Sequence, residues 1–243
     1  MKVQLNKYLA LCGVSSRRKS NLYIAEGRVQ INGTVVERFG VKVDMDSDEV
    51  VLDNRVLSIP GHRYVLLNKP AGVITSAVDK RGRKTVLDLV DIPQRIFPVG
   101  RLDLDTEGVL LLTNDGDLSF RLAHPKFEID KIYQVLVRGR VATGAIEELS
   151  QGVEIEPGVT VAGEVSLLGY ESGGTRLSIR IHEGKKRQIK RMMKRVGHPV
   201  LYLNRTLFAG LTTAGVEKGC WRYLSREEVD DLYSMVNMER LAG

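Results

Sequence analysis

The stretch that decides the fold runs from Pro98 to Gly116 and reads PVGRLDLDTEGVLLLTNDG. Its second half predicts a short buried strand from Val109 to Thr113, because apolar residues run without interruption up to the turn signal Asn-Asp-Gly. Its first half alternates charged residues with Leu and Thr between two glycines. The charged residues are Arg101, Asp103, Asp105 and Glu107. Charges this close to a core strand must be solvated, paired or used in chemistry, and the stretch alone fits either a loop of paired charges or a catalytic loop.

Positive charge is concentrated in two blocks of the chain. The whole chain of 243 residues has a formal net charge of +6. Residues 1–42 hold eight Lys and Arg against two acidic residues, and residues 183–195 hold seven against one. Each block therefore carries as much net charge as the whole chain, so the remaining residues are net acidic. Two separated basic patches predict a polyanionic partner held at two places, with solvated charged faces as the alternative.

Composition and motifs exclude several other classes. Cys12 and Cys220 lie far apart without a C-x-x-C motif, so we expect reduced thiols and neither a disulfide framework nor a zinc site. The apolar run from Tyr8 to Val14 is too short for a signal peptide, and no stretch is long enough to span a membrane. We therefore expect a cytoplasmic protein without a membrane partner. Because the sequence has no P-loop, no G-x-G-x-x-G and no His/Cys cluster, we also expect no metal or cofactor.

Residues 1–60 predict a small basic module. Apolar residues at helical spacing from Leu5 to Cys12 predict one helix, and Ser15 or Ser16 caps a second. The second helix begins with Arg17-Arg18-Lys19, whose three cations oppose the helix macrodipole. A phosphate bound at that end would reverse the sign of this interaction. Two hairpins complete the module, the first around an Asn-Gly pair.

Residues 61–243 predict a larger unit with longer strands. A strand ends at the motif N-K-P-A-G, whose Lys69 either faces a cleft or is solvated. Alternation over Lys131–Val137 predicts a strand with Tyr133 on one face, which from periodicity alone is more typical of a core residue. Residues 184–196 predict an amphipathic helix with a basic stripe.

Several of these motifs recur together in a known family. G-R-L-D-x-D-T-x-G, N-K-P-x-G, K-x-Y and E-G-x-x-R-Q-I-K-R-M resemble the motifs of the ribosomal pseudouridine synthases of the RsuA/RluB type, in the same order. The N-terminal S-R-R-K and G-R-V-x-I-N-G resemble the S4 RNA-binding domain. The resemblance implies an α+β fold. A small α+β S4 domain at residues 1–60 would precede a catalytic domain at residues 61–243 with a mixed, mainly antiparallel sheet.

The resemblance also implies roles for particular residues. Asp103 would be the catalytic nucleophile, Tyr133 would stack on the target base, and Lys190 would form a buried pair with Asp103. Arg101 would contact the RNA backbone or fill the space that the base leaves. Ile132 stands where the family has Thr in K-x-Y, but it lies on the opposite face of the strand. RNA-binding positions implied by the S4 module and the basic helix are Arg17, Arg18, Lys19, Arg28, Asn32, Arg187 and Arg191.

The implied reaction is the conversion of uridine to pseudouridine in ribosomal RNA. It breaks the N1–C1′ bond, turns the uracil and joins C5 to C1′, so no redox cofactor or metal is required. We expect a monomer that acts on 23S rather than 16S ribosomal RNA, on isolated RNA or in a pre-ribosomal particle. Two other classes are a non-catalytic ribosome-binding factor and a glycosidase using Asp103 and Asp105 as paired carboxylates. Neither explains all the motifs.

Overall fold

The computed structural model describes residues 1–79, 81–171 and 173–239. Within these residues no helix combines the length and the apolar composition needed to cross a membrane. The elements of the N-terminal part are β1 Lys2–Gln4, α1 Leu5–Leu11, α2 Arg17–Ala25, β2 Val29–Ile31, β3 Thr34–Val36, β4 Lys42–Asp44, β5 Val50–Leu52 and β6 Arg55–Val56.

The N-terminal elements surround a small core of their own. Strands β3, β2, β5 and β6 form one antiparallel sheet, and β1 pairs with β4, a pair that the sequence did not predict. Of the two candidate caps, Ser16 is the one that caps α2, accepting a hydrogen bond from the backbone N–H of Lys19 at 3.3 Å. The side chains of the core are Leu5, Tyr8, Leu9, Ile24, Val29, Val43 and Val50. The assignment of residues 1–60 as an S4 domain stays a prediction.

The rest of the described chain forms a larger unit. Its helices and strands are β7 Tyr64–Lys69, β8 Phe97–Pro98, β9 Glu107–Thr113, α3 Gly116–Ala123, β10 Lys131–Arg138, α4 Thr143–Gln151, β11 Val153–Glu156, β12 Val159–Val161, β13 Glu164–Glu171, β14 Gly174–Ile181, α5 Gln188–Arg195, β15 Val200–Phe208, β16 Leu211–Thr212, β17 Trp221–Tyr223 and α6 Arg226–Met235. Short 3₁₀ turns cover Val86–Leu89 and Pro125–Phe127.

A mixed, mainly antiparallel sheet organises this unit. In the described residues its path is β13-β14-β10-β15-β9-β7-β17, with β16 added to β15 and β8 to β9. All of these pairs are antiparallel except β15 with β9. The predicted mixed, mainly antiparallel sheet is therefore confirmed for the larger unit.

The two faces of the sheet bury different side chains. On β7, Val65 and Leu67 enter one core, whereas Tyr64 and Leu66 enter the other, as strand alternation requires. Strand β9 alternates in the same way, and every residue of it is buried. Side chains of α4 and α5 complete the first core, and those of α3 and α6 complete the second. The loop that carries Asp103 is therefore anchored to a strand buried on both sides.

The parallel contact between β9 and β15 depends on Gly108. This residue has φ +103°, and a Cβ there would lie 2.1 Å from the backbone oxygen of Arg205. Only glycine lets the two backbones approach this closely. Strand β9 begins at Glu107, two residues earlier than the sequence predicted, so the close approach lies directly after the charged loop.

Two predicted elements differ from those observed. The helix predicted over 184–196 begins only at Gln188, because Arg187 takes a left-handed conformation with φ 53° and the side chain of Gln188 accepts the N–H of Lys185 at 2.9 Å. The sequence also predicts a hairpin of two strands over residues 159–170 and 175–182, but the first of these strands is divided into β12 and β13. At the break, a Cβ on Gly163 would lie only 3.0 Å from the backbone oxygen of Arg180.

Candidate active site

The charged loop before β9 is held by backbone contacts. The hydroxyl of Thr75 donates to the carbonyl of Leu102 at 2.8 Å and accepts the N–H of the same residue at 3.2 Å. The N–H of Gly72 donates to the carbonyl of Leu104 at 2.7 Å. The segment after β7 therefore supports the loop through these hydrogen bonds. Sequence reasoning missed Thr75, and its only signal was a polar residue directly after an apolar pair.

Lys69 lies beneath the loop and is 0% exposed. Its ammonium donates to three backbone carbonyls, of Pro70 at 3.0 Å, Asp103 at 3.1 Å and Thr106 at 2.8 Å. Burial lowers the pKa of Lys69 to about 8, against the opposing effect of nearby carboxylates. Both sequence interpretations of Lys69, a lysine facing the cleft and a solvated lysine in a turn, were wrong. The side chain is a buried support for the charged loop.

Asp103 faces a group of cations and is 34% exposed. The Nζ of Lys190 lies 3.7 Å from its Oδ2, and the Nε of Arg187 lies 4.0 Å away. Lys190, which is 19% exposed, contacts Asp105 more closely, and this hydrogen bond lowers the pKa of the Asp105 carboxyl. The expected buried pair of Asp103 with Lys190 is instead a partly exposed cluster in which two carboxylates share one lysine.

Asp103, Arg187 and Lys190 border a cleft of about 560 Å³, whose lining does not include Asp105. Tyr133, almost fully buried, forms part of its wall, as does Gln188, the first residue of α5. This volume is in the range of small-ligand pockets, which span roughly 300–1,000 Å³. The predicted site residues that the fold brings together around the cleft are Arg101, Asp103, Tyr133, Arg187 and Lys190.

Arg191, predicted to bind RNA, has a different place. Its guanidinium donates to the carbonyls of Ile155 at 3.0 Å and Lys186 at 3.1 Å and pairs with Glu156. These contacts tie α5 to β11, outside the cleft lining. Arg191 therefore positions the helix that carries Lys190, and its contact with RNA stays a prediction.

The predicted RNA-binding residues of the N-terminal module divide into two groups. Arg17, Arg18 and Lys19 are exposed at the first turn of α2. Arg28 instead forms a two-pronged hydrogen bond to Asp53 and pairs with Glu26 at 3.0 Å. Asn32 lies in the hairpin turn, where its side chain donates to Asp48 and accepts the N–H of Glu49, both at 2.9 Å. All five residues lie outside the cleft lining.

The cleft offers charge and a stacking surface. Across the described ranges, no three His, Cys, Asp or Glu side chains gather as metal ligands would. A carboxylate held between cations and placed near a tyrosine ring can act on an aromatic ring bound against that tyrosine. The cations around the carboxylate also suit a substrate that carries phosphate groups.

Comparisons with known proteins agree with this chemistry. Residues 63–195, more than half of the chain, match the family described as RNA pseudouridylate synthase. An uncharacterized RNA pseudouridine synthase of Aquifex aeolicus (strain VF5) is 40% identical over 241 residues, covering 98% of this chain and 97% of that protein. The ribosomal large subunit pseudouridine synthase B of Bacillus subtilis (strain 168) is 41% identical over 237 residues, covering 96% and 97%.

A solved structure shares the fold as well. A crystal structure of a pseudouridylate synthase superimposes with a TM-score of 0.69 at 28% identity, covering 95% of this chain and 99% of that one. Fold, site and relatives together define an RNA-modifying isomerase. The chain belongs to the RNA pseudouridine synthase family.

Proposed function

We propose that this pseudouridine synthase acts on uridine in ribosomal RNA of the large subunit (23S), with Asp103 as the catalytic carboxylate. The observation that carries the choice of Asp103 is its position in the cleft that Tyr133 and Lys190 also line. Asp105 is 67% exposed and hydrogen-bonds Lys190, which suits a residue that holds the lysine. The substrate class is supported by the Bacillus subtilis relative, which is named for the large ribosomal subunit.

The reaction is an isomerisation, so the product has the same composition as the uridine, with one proton exchanged with solvent. The N1–C1′ bond breaks, the uracil turns, and C5 forms the new bond to C1′; the C5 proton leaves for solvent, and N1 takes up a proton in its place. One carboxylate is needed near the sugar or the ring, either as a nucleophile or as the acceptor of a proton. Asp103 fits both roles. Lys190 and Arg187 lie within 4.0 Å of its carboxylate and offset its negative charge when the bound base excludes water.

The target uridine has to leave its stack before it can reach Asp103. Flipping a base costs a few kcal/mol, and stacking on an aromatic side chain returns about 1–3 kcal/mol. Tyr133 supplies this surface from the wall of the cleft. Arg101 is exposed beside it and is available to contact the RNA backbone or to fill the vacated position.

The N-terminal residues 1–60 hold the RNA in this proposal, as an S4 domain. The exposed cations Arg17, Arg18 and Lys19 at the start of α2 suit a phosphate, because free backbone N–H groups point the same way. We further propose that the protein works as a monomer in the cytoplasm. The alternative with the same chemistry is a uridine of the small-subunit (16S) RNA.

The assignment of Asp103 is tested with two matched variants. Asp103→Asn should fold and bind RNA but release no tritium from C5-labelled uridine in bulk ribosomal RNA, since an amide neither attacks nor accepts the proton. Asp105→Asn should keep measurable activity, because its carboxylate only contacts Lys190. Turnover by Asp103→Asn together with an inactive Asp105→Asn would show that the other carboxylate does the chemistry.

The choice of RNA is tested separately. Pseudouridines are mapped in both ribosomal RNAs of a strain that lacks this protein and of the same strain complemented with the Asp103→Asn variant. We expect a position in 23S RNA to stay unmodified in both, and restoration only by the active protein. A lost modification in 16S RNA would transfer the proposal to the small subunit.

A further inference from the structure

A second pocket adjoins the active-site cleft and shares part of its lining with it. It has a volume of about 430 Å³ and shares Arg101, Tyr133 and Lys185 with the cleft lining. Two further cationic side chains, Lys131 and Arg205, line only this second pocket. We call it the Arg205 pocket. The reaction proposed above uses neither of these two side chains.

The side chain of Arg205 can donate more hydrogen bonds than it forms with the described residues. It is 2% exposed, its Nε donates to the carbonyl of Val109 at 2.9 Å, and its guanidinium lies 4.7 Å from the ring centroid of Phe208. Its Nη2 is buried without a hydrogen-bond partner in the described part of the chain. Buried polar nitrogens are nearly always paired, so an unpaired one beside a pocket points to a missing acceptor.

An irregularity in the sheet gives Arg205 its position. Tyr133 of β10 lies opposite Arg205 of β15, but Ile132 lies opposite Leu207, so Thr206 is an extra residue. Bulges of this kind re-aim side chains and are common near active sites. Here the extra residue leaves Arg205 and Phe208 on one face of the strand, where the guanidinium stacks on the ring. It also places Arg205 in the same pocket lining as Tyr133, the residue proposed to stack on the base.

Lys131 adds a second buried cation to the same pocket. Its Nζ donates to the carbonyls of Ile129 at 3.1 Å and His182 at 2.6 Å. Burial, together with the smaller effect of the Arg205 charge, lowers the pKa of Lys131 to about 8, although Asp130 and Glu183 act in the opposite direction. Two buried like charges that repel each other are unfavourable unless an anion joins them.

The nearby carboxylates are engaged with other partners. Asp130 contacts the ring of His182 at 2.8 Å, and Glu183 pairs with Lys185 at 3.0 Å. Glu183 also lines the pocket, but its charge is already paired with Lys185, so Lys131 and Arg205 bring an excess of positive charge to this lining. The planar fork of an arginine matches the geometry of a phosphate, which it binds through two parallel hydrogen bonds.

We infer that the Arg205 pocket binds a backbone phosphate of the RNA next to the target uridine. The inference rests on the proposed function, because the pocket lies beside the base only if that base stacks on Tyr133. The phosphate accepts hydrogen bonds from Arg205 and is neutralised by Lys131. It thereby fixes the sugar of the flipped nucleotide relative to Asp103.

The first test measures RNA binding over a salt series in an Asp103→Asn background, where no turnover occurs. Lys131→Met should flatten the slope of log K against log salt by about 0.7–0.9, the value for one lost phosphate contact. The control is Lys84→Met, which removes an exposed lysine from another part of the surface and should leave the slope unchanged. Arg205→Met should flatten the slope as Lys131→Met does, and its melting temperature shows whether it folds.

The second test uses pH and does not depend on Arg205→Met folding. A phosphate beside Lys131 raises the pKa of that lysine from about 8, so binding takes up a proton. RNA affinity should therefore fall more steeply between pH 7 and 9 in the Asp103→Asn protein than in its Lys131→Met derivative, by up to about tenfold per pH unit. A purely structural role of Lys131 would change the melting temperature and leave both the pH dependence and the salt slope unchanged.

An unchanged slope together with an unchanged pH dependence in Lys131→Met would overturn the inference. A further arm adds inorganic phosphate without RNA. If phosphate raises the melting temperature through Lys131 while the salt slope of RNA binding does not change, the pocket binds a free anion and the assignment to RNA fails. Because the readouts are RNA affinity and melting temperature and none of them is turnover, a wrong choice of Asp103 as the catalytic group would leave these outcomes interpretable.

Discussion

The N-terminal module and the active-site cleft hold their charges in opposite ways. In the module, Arg17, Arg18 and Lys19 are exposed on one short helix. In the cleft, Asp103 sits on a loop fastened to the fully buried strand β9 and supported from below by Lys69. The two units meet at an ion pair between Lys7 and Asp117, 2.9 Å long and partly exposed, which contributes little stability.

The two arrangements suit different tasks, phosphate binding in the module and bond rearrangement in the cleft. A phosphate contact tolerates side chains that move, because the attraction is long-ranged and many geometries satisfy it. Bond rearrangement at C1′ requires atoms held within a fraction of an ångström, which a buried strand and backbone hydrogen bonds provide. Substitutions in the module should therefore change RNA affinity, and substitutions around the loop should change stability and rate.

The largest effect is expected at Lys69. Lys69→Met keeps the volume of the side chain but leaves the carbonyls of Pro70, Asp103 and Thr106 without this donor. Loss of buried hydrogen bonds of this kind should lower the free energy of unfolding by about 2–4 kcal/mol. The single-turnover rate should fall as well. Chemical denaturation measures the first effect, and the exposed Lys84→Met serves as a matched control.

The penalty of Lys69→Met should also depend on pH. The folded-state pKa of Lys69 is about 8, below the ordinary value of 10.5, so the unfolded chain binds more protons between these values. Stability of the wild type relative to Lys69→Met should therefore rise as the pH increases from 8 to 10, by at most about 1.4 kcal/mol per pH unit. A constant difference over this range would mean that the buried amine does not titrate there.

Lys190→Ala should lower the single-turnover rate strongly but the free energy of unfolding only slightly. Lys190 contacts two carboxylates that are partly exposed, so its removal should lower the free energy of unfolding by only about 1 kcal/mol or less. The single-turnover rate should fall by about 10²–10³-fold, because Asp103 loses a positioned charge at the reacting centre. Lys190→Arg should recover part of the rate. An unchanged rate in Lys190→Ala would show that this lysine only pairs with the two carboxylates and has no part in the reaction.

Several parts of the candidate site were predicted from the sequence, because each lies in a short motif of its own. Arg101 and Asp103 share one loop, whereas Tyr133 was assigned only through the resemblance to the K-x-Y motif, since strand alternation alone favours a core residue. The placement of Lys69 was not predictable. A lysine in a turn is normally solvated. Lys69 is buried because the loop from Asp103 to Thr106 covers it in the folded chain and provides two of the carbonyl oxygens that it binds.

Other features depend on contacts between distant segments. The start of α5 at Gln188 depends on the left-handed Arg187, which no helical periodicity reveals. The need for Gly108 arises from β15, almost a hundred residues further along the chain. The extra residue in β15 that positions Arg205 likewise appears only once β10 and β15 are paired.

The module is tested by removing its exposed cations together. The Arg17→Ala, Arg18→Ala, Lys19→Ala triple variant should flatten the slope of log K against log salt by about 2–3 units, for three lost phosphate contacts. Its single-turnover rate at saturating RNA should stay at the wild-type value. The melting temperature should rise slightly, since three cations no longer oppose the macrodipole of α2, each worth some tenths of a kcal/mol. A lost rate with an unchanged slope would mean that the module shapes the active site.

The smallest effect is expected at Arg28. Its guanidinium is already neutralised by Asp53 and Glu26, so a phosphate can bind it only by displacing one of these carboxylates. Arg28→Gln should therefore flatten the salt slope by less than half of the roughly 0.7–0.9 units expected for Arg18→Gln. Both single variants are compared on the same RNA over the same salt series. Equal changes of the salt slope in the two variants would show that Arg28 leaves Asp53 and Glu26 when RNA binds. The module would then rearrange its ion pairs on binding, in contrast to the fixed side chains of the cleft.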